Sequence, residues 1–160
     1  MVFQGQEFLE DDWFHDKNPI DWSKKDKYYG IFRLYQDLIA LRLNKKKNTG
    51  GLTGQKVNVF HVKNTEKIIA FHRWHHGGAG DSVIIMANFT DKNRENYIIG
   101  FPRKGTWKVR FNSDWNGYDP EFGNFLTTDI KAEKGRCDGL PCKANIGIGG
   151  YSVVVFSQDV

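Results

Sequence analysis

The hydrophobic positions change period once along the chain, near Gly51, which divides it into a helical and a β part. Before that point Tyr28, Ile31, Phe32, Tyr35, Leu38, Ile39 and Arg42 recur at spacings of three and four. They draw one broad stripe on a helix running from Ser23 to about Asn44, and Leu34 and Leu41 widen it. Ser23-Lys24-Lys25-Asp26 reads as a capping-box start, and Asn48-Thr49-Gly50-Gly51 as the stop. Ahead of the helix no period holds. Met1-Val2-Phe3 reads as the end of a buried strand, and acids then mix with aromatics through Glu10, Asp11, Asp12, Trp13, Phe14 and His15. Residues before about Tyr28 are therefore expected to be only partly regular.

After Gly51 the pattern predicts strands at Lys56–Val62, Lys67–His75, Ser82–Phe89, Tyr97–Phe101 and Thr106–Phe111. A weaker strand follows near Leu126–Ala132, and a final pair spans Lys143–Ile148 and Tyr151–Gln158. Pro102-Arg103-Lys104-Gly105 and Gly149-Gly150 read as hairpin turns, with a long loop from Asn112 to Asn124. Ile68-Ile69-Ala70-Phe71 and Val83-Ile84-Ile85-Met86-Ala87 are apolar on both sides, which places those strands centrally with both faces covered. The fold class is mainly β: an antiparallel Greek-key β-sandwich preceded by one amphipathic α-helix.

Composition changes this picture little. The 12 Phe, 6 Tyr and 5 Trp suit a β-rich core or a surface that stacks on flat ligands. The 17 Gly against 4 Pro suit tight turns. A net charge of +4 would permit an acidic partner, but the basic residues are scattered among nearly as many acids. The one dense run, Lys45-Lys46-Lys47, sits where a helix ends and complements its dipole. Nucleic acid is thus not an expected partner, although the basic surplus keeps it as a third reading. With no apolar run of about 18 residues and no signal peptide pattern at Met1, no membrane span is expected. Cys137 and Cys142 flank a turn-like Asp138-Gly139-Leu140-Pro141, in what reads as a loop around them. They are expected as free thiols in a reducing cytoplasm, with a local disulfide left open.

Several motifs then fall in one order. Phe3-Gln4-Gly5-Gln6-Glu7-Phe8, Trp13, Asp21-Trp22 and Asp37-Leu38-Ile39-Ala40-Leu41-Arg42 come first. Ala70-Phe71-His72-Arg73-Trp74, Ala87-Asn88-Phe89-Thr90, Gly100-Phe101-Pro102, Gly105-Thr106-Trp107, Asn112-Ser113-Asp114 and Phe122-Gly123-Asn124 follow. Together they resemble the end of an α-amylase superfamily enzyme, most closely a glucan branching enzyme. The resemblance implies that residues 1–50 are a remnant of the last strand and helix of a (β/α)8 barrel, and that 51–160 form the C-terminal β-sandwich domain. It implies a parent acting on α-1,4-glucan with a retaining pair of acids, the aspartate nucleophile and the glutamate acid/base expected upstream of Met1. This chain is then expected to carry no catalytic residue, cofactor or metal. Its partners would be the catalytic barrel and, in the parent, α-glucan, with self-association through the Tyr28–Arg42 stripe. The alternative is a stand-alone starch- or glycogen-binding module.

The resemblance puts Gln6 and Glu7 at the rim of the active-site face, where each would bond a glucan hydroxyl or fix a loop. Pairing Glu7 with Asp11 or Asp12 as catalytic carboxylates is disfavoured, because a retaining pair stands about 5 Å apart on rigid support. Trp13 and Phe14 could stack on a sugar or anchor their loop. Trp115 and Tyr118 are the better stacking candidates within the sandwich, against the preferred reading of an internally packed loop. Trp74 and Trp107 are expected in the core. His61, His72, His75 and His76 read as ordinary surface or edge histidines without a metal, and Gly77-Gly78-Ala79-Gly80 as a turn, since no helix follows it.

Overall fold

A computed structural model describes residues 3–13 and 15–160. Its eight strands are β1 (Lys56–Lys63), β2 (Ile68–Trp74), β3 (Val83–Asn88), β4 (Arg94–Phe101), β5 (Gly105–Asn112), β6 (Ile130–Cys137), β7 (Leu140–Ile148) and β8 (Ser152–Ser157). Every neighbouring pair is antiparallel, in the spatial order β1-β2-β3-β8-β5-β6-β7-β4. Strands β5, β6 and β7 lie side by side and β8 returns beside β5, which is the Greek-key arrangement. β5 serves both layers. Gly105–Trp107 pair with β6, whereas Lys108–Asn112 pair with β8.

Both hairpins read from the sequence are corrected. The link at Pro102–Gly105 joins β4 to β5, but β4 pairs with β7 at the far end of the order. The link at Gly149-Gly150 likewise joins β7 to β8 without pairing them. Each crosses from one layer to the other, because Ile99, Phe101, Trp107, Ile146, Ile148, Val154 and Phe156 must all face one interior. A tight hairpin instead joins β6 to β7, in the segment read as a loop around the cysteines. Asp138 (φ 51) and Gly139 (φ 77) form its two-residue turn, with Cys137 opposite Leu140. Both cysteines are free thiols, and they belong to strands.

The interior is closed by Trp107, Phe101 and Phe156 with aliphatics from both layers. β3 is buried along its whole length, as its two-sided apolar run requires. β2 alternates buried with half-buried positions, so its outer face is only partly covered. Trp74 corrects the core assignment: it is half-buried at the end of β2 and stacks on His72, with ring centroids 4.4 Å apart.

The α-helical region begins at Ser23 and is broken once. α1 (Ser23–Lys27) and α2 (Tyr29–Arg42) are separated by Tyr28, at φ −110 and ψ 35. The capping box does not form. Asp21 Oδ1 instead accepts from Ser23 N and Ser23 Oγ, at 2.9 and 2.7 Å. α2 ends at a Schellman motif, with Asn44 at φ 52 and Lys45 N donating to Ala40 O at 3.1 Å, ahead of the glycines expected to stop it. Phe3, expected at the end of a strand, is not in one, and the residues after it form a turn and a 3-10 helix over Gln6–Phe8. Met1 and Val2 lie outside the described residues. No described helix is long and apolar enough to cross a membrane.

α2 lies on the outer face of the sandwich, by the edge of its predicted stripe. Gly30, Leu34, Asp37 and Leu41, spaced four, three and four, meet the sheet and its long loop. Leu34 and Leu41 pack with Phe71, Val83, Ile85, Phe111 and Val155. Gly30 permits the approach, since a Cβ there would stand 2.1 Å from Tyr118 O. The middle of the stripe points elsewhere: Leu38 is 39% exposed and Ile39 48%.

Candidate functional site

The residues singled out from the sequence fall into two groups on either side of α2. The first is the segment before the helix. Gln6 is exposed, and its Oε1 accepts from Phe3 N at 3.2 Å, so it fixes its own turn. Glu7 is half-buried, and the carboxylate cluster nearby does not include it. Phe8 is fully buried and packs on Trp22 at 5.3 Å between centroids, which ties this turn to the start of the helical region. Trp13 is 87% exposed and lines a cleft of about 510 Å3 with Phe3, Glu10 and Ile20. Phe14 lies outside the described residues.

The organising residue here is Glu10, which sequence reasoning passed over. Its oxygens accept from Asp12 N, Asp21 N and Lys24 Nζ at 3.0, 2.9 and 2.6 Å. The Lys24 bond, aided by the backbone donors, lowers its carboxyl to about 2. Asp11 and Asp12 reach the same ammonium at 2.5 and 3.5 Å. Three carboxylates thus gather around Lys24, whose own pKa the Asp11 and Glu10 bonds raise. No sequence signal announced this, because Lys24 stands a full loop away from the acids it joins.

The second group is the loop between β5 and β6. Asp114 folds it, accepting from Gly123 N and Phe125 N at 2.8 and 2.7 Å. Tyr118 is buried, and its hydroxyl donates to Asp37 Oδ2 of α2 at 2.8 Å. Burial and this acceptor push the phenol pKa up. Trp115 is half-buried, edge-on to Tyr118 at 5.0 Å, with the Arg33 guanidinium 4.6 Å above its ring. The two aromatics therefore meet each other and α2. The cleft they line, of about 500 Å3, shares no residue with the cleft at Trp13.

The histidines separate into two kinds. His75 and His76 are exposed neighbours, but His61 and His72 are buried, which corrects their reading as surface or edge groups. His72 Nε2 has no hydrogen-bond partner among the described residues, and desolvation lowers the imidazole pKa to about 4. His61 Nε2 lies 3.0 Å from Tyr97 Oη, and Tyr97 donates to Glu66 Oε2 at 2.5 Å. Its Nδ1 is 3.0 Å from Asp138 Oδ2, off the line of a hydrogen bond. These links fasten β1 to β4 and to the β6–β7 turn across the two layers. Among the described residues the one grouping of metal-ligand type is Glu10, Asp11 and Asp12, with Lys24 at its centre.

Residues 46–159 match the model of the family described as alpha amylase, C-terminal all-beta domain. The chain belongs to that family. As an alpha amylase C-terminal all-beta domain it is similar to the 1,4-alpha-glucan branching enzyme GlgB of Corynebacterium diphtheriae, 29% identical over 95% of this chain and 21% of the relative. The corresponding enzyme of Deinococcus radiodurans is 27% identical over 97% of this chain and 22% of its own length. The chain thus spans about a fifth of the length of the curated relatives it matches. The crystal structure of alpha-amylase from H.orenii shares the fold, with a TM-score of 0.51 and 16% identity over 88% of this chain and 23% of that one.

Proposed function

We propose that this domain is the non-catalytic C-terminal part of an enzyme acting on α-1,4-glucan, and that it supports a catalytic barrel. Residues 1–50 would be the last strand and helix of that barrel and 51–160 the accessory sandwich. The observation that carries this reading is the two-sidedness of α2. Gly30, Leu34, Asp37 and Leu41 are seated on the sandwich, while Tyr29, Leu38, Ile39 and Leu43 stay between 39% and 59% exposed. An apolar face of that extent suits a partner surface. Gln6, Glu7 and Trp13 would then border the glucan site of the parent. Free thiols at Cys137 and Cys142 suit the cytoplasm.

The chain alone should neither branch nor hydrolyse amylose or amylopectin; reproducible turnover would overturn the reading. It should self-associate through α2, because no barrel covers the stripe. Sedimentation velocity is expected to show concentration-dependent association that Leu38→Glu with Ile39→Lys removes. A monomer at all concentrations that also fails to bind a hydrophobic dye would contradict the docking face.

A further inference from the structure

Three connections converge at one end of the sandwich: residues 89–93 after β3, the loop after β5, and residues 149–151 before β8. Between them runs an open cleft of about 380 Å3, bordered by Asp91, Asn93, Ser113, Glu121, Phe122 and Tyr151. It is a built feature. A Cβ on Gly149 would come within 2.6 Å of Asp114 Oδ2, and one on Gly150 within 2.7 Å of Asp91 O.

Seven non-glycine residues among those described hold a positive φ, and Tyr151 is the aromatic one. Its φ of 46 lies in the left-handed region, where a β-carbon is disfavoured and glycine is relaxed. Its ring is nevertheless 76% exposed, so little packing offsets that strain. The backbone is held by Tyr151 N donating to Thr90 O at 2.7 Å, which presents the phenol at the cleft. Lys47 and Lys67 hold such a φ while exposed as well, so what marks this position is the open aromatic ring set at a cleft.

The polar groups around the ring keep their capacity. Asn93 Oδ1 accepts from Gly150 N at 2.9 Å, which leaves the amide N–H groups to donate. Ser113 Oγ accepts from Val153 N at 2.8 Å, which leaves the hydroxyl proton. The Asp91 and Glu121 carboxylates are exposed residues' groups without a hydrogen bond or ion pair to the described chain. An exposed aromatic ring flanked by spare donors and acceptors is suited to a pyranose. The sugar's C–H face covers the ring while its hydroxyls bond both kinds of group.

We propose that this cleft holds a stretch of α-glucan chain, with Tyr151 as the platform and Asp91, Asn93 and Glu121 bonding its hydroxyls. The identity of the sugar rests on the glucan reading given above. The site does not involve Trp115 or Tyr118.

The test is the mobility of the 160-residue chain in native gels containing amylopectin, with melting temperature measured alongside. The wild type should be retarded, and Tyr151→Gly should weaken retardation about tenfold, the scale of one aromatic contact. Because glycine relaxes the left-handed φ, that variant should melt at the same or a higher temperature. Glu121→Gln should weaken binding less, and Trp115→Ala should leave it unchanged. A clear fall in melting temperature for Tyr151→Gly would make the ring structural and overturn the proposal. So would undiminished retardation, or retardation lost only in Trp115→Ala, although the latter keeps the chain a glucan binder. Absence of retardation in the wild type removes the cleft but leaves the docking role of α2 standing on its own association test. If calcium alone raises the melting temperature, and Glu121→Gln with Asp91→Asn abolishes that rise, the cleft is a cation site and the proposal fails.

Discussion

Trp107 is fully enclosed between the layers of the sandwich, whereas Trp13 and Trp22, ahead of α2, are 87% and 62% exposed. The sandwich closes its own interior, with Phe101, Phe156 and aliphatics from both layers filling the space around Trp107. The leading segment is held in another way. Its order comes from Glu10 gathering Asp12, Asp21 and Lys24, while most of its apolar surface stays open. Hydrophobic burial scales with area removed from water, but the pairs of Lys24 with exposed Asp11 and Asp12 contribute little, and the half-buried Lys24–Glu10 pair must offset its own desolvation. The sandwich should therefore stand alone, and the segment before it should depend on what covers it. α2 belongs to both, one strip seated and one open.

The largest effect that separates the two regions is expected from their tryptophans. Trp107→Ala should lower stability by about 3–5 kcal/mol, enough to leave much of the chain unfolded at room temperature. Trp13→Ala should change it by no more than about 0.5 kcal/mol. Urea unfolding followed by circular dichroism reads both. Comparable losses would mean that the leading segment is part of the same cooperative core.

Next in size is the seam between the regions. Gly30→Ala places a methyl 2.1 Å from Tyr118 O, backbone that cannot simply rotate away. α2 must lift, at a cost of about 1–3 kcal/mol, outweighing the gain in helix propensity of up to about 1 kcal/mol. Hydrogen exchange should rise in α2 before it rises in β3 or β8. If Gly30→Ala stabilises the chain, the seam is looser than its geometry.

The sequence disclosed elements better than partners. The two-sided apolar run of β3 is legible because a buried strand needs no other information, whereas the similar run of β2 has one face only partly covered. Pairing is not legible. Pro102–Gly105 and Gly149-Gly150 carry turn residues, but a turn reports only that the chain reverses, and which strand lies alongside depends on distant residues sharing an interior. The turn at Asp138-Gly139 is legible from two residues suited to positive φ, but the long strands on either side of it are not, because their few apolar positions do not announce them. The stripe on α2 was legible as apolar, yet only small Gly30 and the Tyr118 carbonyl decide which strip meets the sheet. Trp115 and Tyr118 can be paired from the sequence because one long loop carries both. Glu10 with Lys24, and the strained Tyr151, were missed because each acquires meaning through backbone geometry.

A smaller effect concerns acid. Desolvation holds His72 neutral in the folded chain down to about pH 4, while the unfolded chain protonates it near the ordinary value of 6.5. Between those values the unfolded state binds the extra proton, so stability should fall as pH drops from about 6.5 to 4. Above that window the group is neutral in both states, and below it protonated in both. His72→Leu should flatten this slope in urea midpoints measured across the window. An unchanged slope would assign the acid sensitivity to other groups.

The smallest expected effect tests whether the seam has a polar lock as well as a shape. Tyr118→Phe keeps the ring against Phe111 and Trp115 and removes only the hydroxyl that donates to Asp37 Oδ2 at 2.8 Å. Asp37 is partly exposed, so water can replace the lost donor, and the cost should be about 0.5–1.5 kcal/mol. Asp37→Asn keeps an acceptor oxygen and should cost less than Asp37→Ala. Combining Tyr118→Phe with Asp37→Ala should cost less than the sum of the two, because both delete one bond. Strict additivity would show that α2 is held by the fit at Gly30 and by Leu34 and Leu41 alone. The open strip would then be free to move with whatever partner covers it.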